Sequence, residues 1–277
     1  MQASAQVISA VIKLALISLL GLHLGPRGAI CMAMVLEKIN NYTRRQRGGF
    51  ALLYGGLLAL VMAAIEPGGV IVRSADRVDF VGRIDAMADL AWLSHLTSIL
   101  IAIAAVTIIA GLMVVWNTAH EEGLDCTGTR YGLMMAGIGA GIGVLGEGLD
   151  MMMVIAIDDG LGAGAAAGSD AVMQVALAMH SVKAGFAFVA IPLVMLGAAS
   201  MAIGLMPILP RGFHRGAALF TAAVGIVWTT LFWIIAAIVD FEGWDVINGI
   251  GGLVAVLWLM LLGRSMVSGS IGAHNNT

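Results

Sequence analysis

Two carboxylates stand inside an apolar run, at Glu147 and Asp150 of "GEGLD", with Met151, Met152 and Met153 directly after. The next long apolar run carries "HSVK", which supplies His180 and Lys183. Acid, imidazole and ammonium groups can pass protons, hold cations or ligate metals. Charge inside a bilayer is costly enough to mark a functional site by default.

The spacing favours a meeting of the two rows. In an antiparallel helical hairpin, residues at equal depth have a constant sum of residue numbers. That sum is the same for Glu147 with Lys183 and for Asp150 with His180, so each pair is expected to be level. At 1.5 Å rise per residue, Asp150 lies about 10 Å and Glu147 about 15 Å below the end of their run. His180 and Lys183 lie about 8 Å and 12 Å into theirs. Gly139, Gly143, Glu147 and Asp150 share one helical stripe, as do Ala176, His180, Lys183, Ala187 and Ala190. Small residues mark the packed side of membrane helices, so the ionisable groups are expected to face the protein interior. His95 joins from a third run, about 9 Å below its start, on a stripe with Ser98, Ala102 and Ala105.

Three chemistries compete for this level. The first is a proton or cation relay through Glu147, Asp150, His180 and Lys183, bordered by His95, in a protein of ion-coupled transport or conduction. The second is a membrane-anchoring redox subunit. There His95 and His180 would ligate haem b, or would hold a transition metal together with Asp150 and Glu147. The third is a structural subunit of a larger membrane complex, in which each charge is present only to neutralise another. A pure register device needs two residues and this level offers five, so the relay is the favoured expectation. No HExxH, CxxCH or EF-hand pattern accompanies the cluster, and the three methionines are expected to fill packing space.

The elements that position these groups follow from composition. The chain has 277 residues, of which 60% are hydrophobic and only 11% charged, with a mean hydropathy of +0.98. Those values place it among integral membrane proteins whose main partner is the lipid bilayer. About 20 apolar residues span a bilayer as a helix. Apolar runs occur at 7–36, 49–66, 89–117, 131–157, 175–205, 216–240 and 246–266. The expected fold is therefore all-α: a polytopic helical membrane bundle of six to seven transmembrane helices forming a single domain over 1–277. The first run is interrupted at Gly25-Pro26 and counts as a kinked span or a re-entrant segment. Association with other membrane subunits or with further copies of the chain is compatible with this composition.

Charge sets an expected orientation. Eight Lys and Arg residues fall in loops on one side, including the "TRRQR" segment, against three in the 67–88 loop on the other. The positive-inside rule puts the C-terminus in the cytoplasm and, with seven spans, the N-terminus outside. Cys31 and Cys126 then both lie on the reducing side, and their separation suits neither a metal site nor a disulfide framework. Most carboxylates fall in the outer half, a field that attracts cations. Asp85 and Asp89 are expected at the outer rim, at the start of the third span, where negative charge suits a helix N-terminus. Trp92 and Trp116 are about 36 Å apart along that span, the separation of two interfacial aromatic belts. "GIGAGIG" at 137–143 lies inside a span and not after a strand, so it reads as close helix packing. No nucleophile–base arrangement is visible in "HEEGLDCTGTR", and no basic aromatic patch suggests a nucleic-acid partner.

Overall fold

A backbone inside hydrocarbon must satisfy its own hydrogen bonds, and this chain does so with helices. The computed structural model describes residues 42–75, 79–124, 127–158, 169–238 and 241–269. Among the described residues there are seven helices and no strand. They are α1 (Arg44–Ile65), α2 (Phe80–Asp89), α3 (Ala91–Glu121), α4 (Thr127–Asp158), α5 (Ser169–Leu205), α6 (Phe213–Ile238) and α7 (Phe241–Val267). Helix α1 and helices α3 to α7 match the six expected runs from 49–66 onward. The expected run at 7–36 lies outside the described residues. Among the described residues, five helices are long and apolar enough to cross a membrane: α1, α3, α4, most of α5 and the Gly249–Val267 part of α7. The fold is an all-α polytopic membrane bundle.

The long helices close a ring in the order α1, α3, α4, α5, α6, α7, with α7 packed back on α1 and α5 also touching α7. Neighbours run antiparallel. One end gathers Arg44 against Glu121 at 3.3 Å, Arg45 against Glu122 at 2.8 Å, and the Ser265 hydroxyl against His214 Nδ1 at 2.9 Å. At the same end the Ser200 hydroxyl donates to the Gly128 carbonyl at 2.9 Å. The opposite end carries Glu66, Asp79 and α2. We call these the basic and acidic ends.

Glycine sets the closeness of two contacts. A Cβ on Gly263 of α7 would sit 2.5 Å from the Gly49 carbonyl oxygen of α1, and one on Gly197 of α5 would sit 2.7 Å from the Ala136 nitrogen of α4. Backbones this near exclude any side chain, as in other membrane helix pairs packed through small residues. Gly263→Ala is expected to lower the thermal midpoint in detergent, at a cost of about 3 kcal/mol for overpacking. Gly137→Ala, where an added Cβ meets nothing within 4 Å, should leave the midpoint unchanged or slightly raised, because alanine favours helix.

That comparison corrects the reading of "GIGAGIG" as uniform close packing. Only Gly139 serves it, 2.7 Å from the Ala190 carbonyl oxygen of α5 for an added Cβ, whereas Gly137, Gly141 and Gly143 face open space. Four glycines at every second position point in different directions around a helix, so they cannot share one partner. The tryptophan belts are likewise half met. Trp92 is 68% exposed at the acidic end of α3, but Trp116 has its Nε1 buried without an acceptor.

The largest departure from expectation is α2. Residues 67–88 read as a loop leading to Asp85 and Asp89 at the start of the third span. Instead Asp79 caps a separate ten-residue helix, its carboxylate accepting from the Gly82 N–H at 2.8 Å. Asp85 is exposed on that helix, Asp89 lies in its last turn paired with Arg73, and α3 starts after Leu90 with no side-chain cap. The acidic residues missed the role of capping α3 because a chain reversal at Leu90 intervenes. A sequence signal existed: Phe80, Ile84 and Met87 recur at helical spacing on one face. Ile84 and Met87 are buried with Met153, Val154 and Ala176, so α2 lies over the acidic ends of α4 and α5. The Ser94 hydroxyl donates to the Met87 carbonyl at 3.0 Å and ties α2 to α3. Asp79→Ala is expected to cost about 1 kcal/mol. Hydrogen exchange should show this as faster exchange confined to α2, with the amides of α4 and α5 unchanged.

Candidate functional site

Four ionisable side chains from three places in the chain meet below α2. Glu66 follows the last turn of α1, its N–H bonded to the Met62 carbonyl at 2.9 Å. The turn after it is fixed by Gly68, whose φ of +78° suits glycine and whose added Cβ would lie 3.2 Å from the Arg83 backbone. Glu147 and Asp150 project from α4 one turn apart, and Lys183 projects from α5. Oxygens of Glu66, Glu147 and Asp150 all lie within 4.8 Å of one another. The Lys183 ammonium donates to Asp150 Oδ2 and, at 3.5 Å, to Glu66 Oε1. Asp150 is 1% exposed, Glu66 13% and Lys183 19%. This is a largely buried cluster.

The pairing differs from the level rule, which matched Lys183 with Glu147 and Asp150 with His180. Helical Cα–Cβ bonds tilt toward the helix N-terminus, and α4 and α5 run in opposite directions. Lys183 therefore leans toward the acidic end and Asp150 leans away from it, and the two converge across one turn. The long lysine stem supplies the remaining reach. Glu147 leans away from that meeting point.

The other expected members take different places. His180 is 5% exposed and packs edge-on against Phe80 of α2, ring centroids 4.9 Å apart. Its Nδ1 has no hydrogen-bond partner, nor has Nδ1 of His95. Among the described residues, the one group of three ligand-bearing side chains close enough to share an ion is Glu66, Glu147 and Asp150, and neither histidine joins it. A set of two histidines with Asp150 and Glu147 is not gathered here. Carboxylate oxygens are hard ligands, suited to protons and to hard cations more than to haem or soft transition metals. Asp85 and Asp89 stay at the surface, outside the cluster.

Glu66 is the member that sequence reasoning left out. It was placed at the outer end of the second run, and nothing in a linear depth scale says that this end leans toward α5. The Glu66-Pro67-Gly68 turn is the signal that could have found it, since a proline and a glycine after a helix stop the chain sharply. Polar atoms around the cluster are also under-satisfied. Oδ1 of Asp150, Oε2 of Glu147, the buried Ser98 hydroxyl of α3 and Nε of Arg83 have no hydrogen-bond partner within the protein. The methionine expectation holds for Met153, which is buried in the α2 contact, but not for Met152, which is 56% exposed.

Comparison with family models, curated proteins and solved structures finds no match to this chain, so its functional reading rests on this cluster alone.

Proposed function

We propose that the protein conducts or transports a cation, with protons as the first candidate, through the cluster of Glu66, Glu147, Asp150 and Lys183. One observation carries the reading: three carboxylates share a space of 4.8 Å with a single directly bonded ammonium. At an effective dielectric of 20, two unit charges about 4 Å apart interact by about 4 kcal/mol. Three carboxylates form three repulsive pairs, and Lys183 bonds to only two of them. Arg83 is the next cation, and its Nε meets no acceptor. A mobile proton or hard cation supplies the missing positive charge, and a site that must recruit one can also release it.

His180 and His95 border this route, each with a buried Nδ1 that has no hydrogen-bond partner within the protein. The acidic end, which carries Asp79 and Asp85, is the entry for cations, and the positive-inside rule assigns it to the outer face. The test is flux in proteoliposomes, read with an internal pH dye under an imposed proton, sodium or potassium gradient. Asp150→Asn is expected to reduce the flux of the coupled ion to that of empty vesicles. Equal flux in Asp150→Asn and wild type would remove the cluster from the pathway.

A further inference from the structure

Below the cluster the helices of the ring leave a space between them. A cavity of about 250 Å³ lies between α1, α3, α4, α5 and α7. Its walls are aliphatic, methionine or glycine, among them Ile101, Ile108, Val194, Met195 and Val256, and among the described residues Glu147 is the one ionisable residue on its lining. The space is partly open; apolar walls disfavour water, and an enclosed apolar cavity of about 150 Å³ takes up benzene. Scaled to this volume, the space suits a compact hydrocarbon body of about ten carbon atoms.

Glu147 gives the cavity a chemical preference. Lys183 is bonded to Asp150 and Glu66, and Glu147 Oε2 is buried with no partner. A carboxylate already stripped of water by folding lacks a directly bonded cation, and an apolar chamber opens beside it. Water is a poor occupant of walls without polar partners. A neutral apolar guest leaves the carboxylate unsatisfied, and an anion is repelled. A guest with an ammonium at one end and hydrocarbon at the other meets both demands.

We propose that this cavity binds a monocationic amphiphile, a protonated amine on a compact hydrocarbon body, with Glu147 as its counter-ion. The inference goes beyond the relay and does not need it, because the body sits among α3, α4, α5 and α7 residues that the cluster does not use. The shared residue is Glu147. A guest seated there would place its positive charge beside the carboxylates and compete with the coupled cation.

The test uses 1-adamantylamine and its neutral isostere 1-adamantanol, titrated into the purified full-length protein in detergent by calorimetry. The amine is expected to bind about tenfold or more tightly than the alcohol, the difference of a charge-assisted hydrogen bond. Glu147→Gln should remove that preference while leaving weak binding of both. Gly143→Leu extends a side chain from a position where an added Cβ meets nothing within 4 Å. It fills the cavity from α4 and should abolish binding of both probes in a protein that still elutes as wild type. Equal affinity of wild type for amine and alcohol would reduce the cavity to an unspecific lipophilic void and overturn the proposal. Undiminished binding in Gly143→Leu would place the probes elsewhere and overturn it too. Either failure together with intact cation flux would leave the relay standing.

Discussion

Lys183→Met is expected to destabilise the protein by about 3–5 kcal/mol, the usual cost of removing one partner from a buried ion pair. The lysine holds Asp150 and Glu66 from two other helices, at 1% and 13% exposure. Methionine keeps the stem's volume and its apolar contacts, so the loss isolates the ammonium. Without it, three carboxylates within 4.8 Å face one another with no direct cation. The contacts between α1, α4 and α5 at the acidic end should loosen first. Thermal unfolding in detergent would show a lowered midpoint, and the double variant Lys183→Met, Asp150→Asn should recover part of it. A midpoint equal to wild type for Lys183→Met would mean that the ammonium holds nothing together.

Glu147→Gln should act in the opposite direction on stability and remove function. Glu147 has a buried oxygen without a partner and lies within reach of two other carboxylates. Neutralising it relieves like-charge repulsion while leaving the bonds of Lys183 to Asp150 and Glu66 in place. A gain of about 1–3 kcal/mol is expected, less than the about 4 kcal/mol of one like-charge pair at an effective dielectric of 20, because the amide is itself a buried polar group. A charge kept against that gain is retained for what it does to ions and not for what it does to packing. The paired readout is a raised or unchanged thermal midpoint with lost flux. A lowered midpoint would show that Glu147 holds the fold together.

The architecture was largely legible in the sequence because hydropathy and length are strong local signals. Runs at 49–66, 89–117, 131–157, 175–205, 216–240 and 246–266 returned as helices, most of them longer than their apolar cores. Helix ends are polar and so escape a hydropathy count. The α4–α5 contact was legible too, since Glu147, Asp150, His180 and Lys183 fall on the facing stripes. Their pairing was not. It depends on the opposed tilt of side chains on antiparallel helices, which a depth scale ignores. Glu66 and α2 were missed for a different reason. Their positions follow from a turn at Gly68 and a cap at Asp79, short polar features that a hydropathy count does not register. His95 and His180 share a depth with the carboxylates, but neither joins their group, because depth alone does not fix which way a ring faces.

The cluster's role is tested most directly by cation flux through wild type and Glu147→Gln in proteoliposomes at equal protein density. The charge balance predicts flux above empty vesicles for wild type, strongest for one cation, and flux at the empty-vesicle level for Glu147→Gln in a protein that remains folded. Equal flux through both, or none through wild type with every cation tried, would contradict the relay and leave Asp150, Glu66 and Lys183 as a clamp between helices.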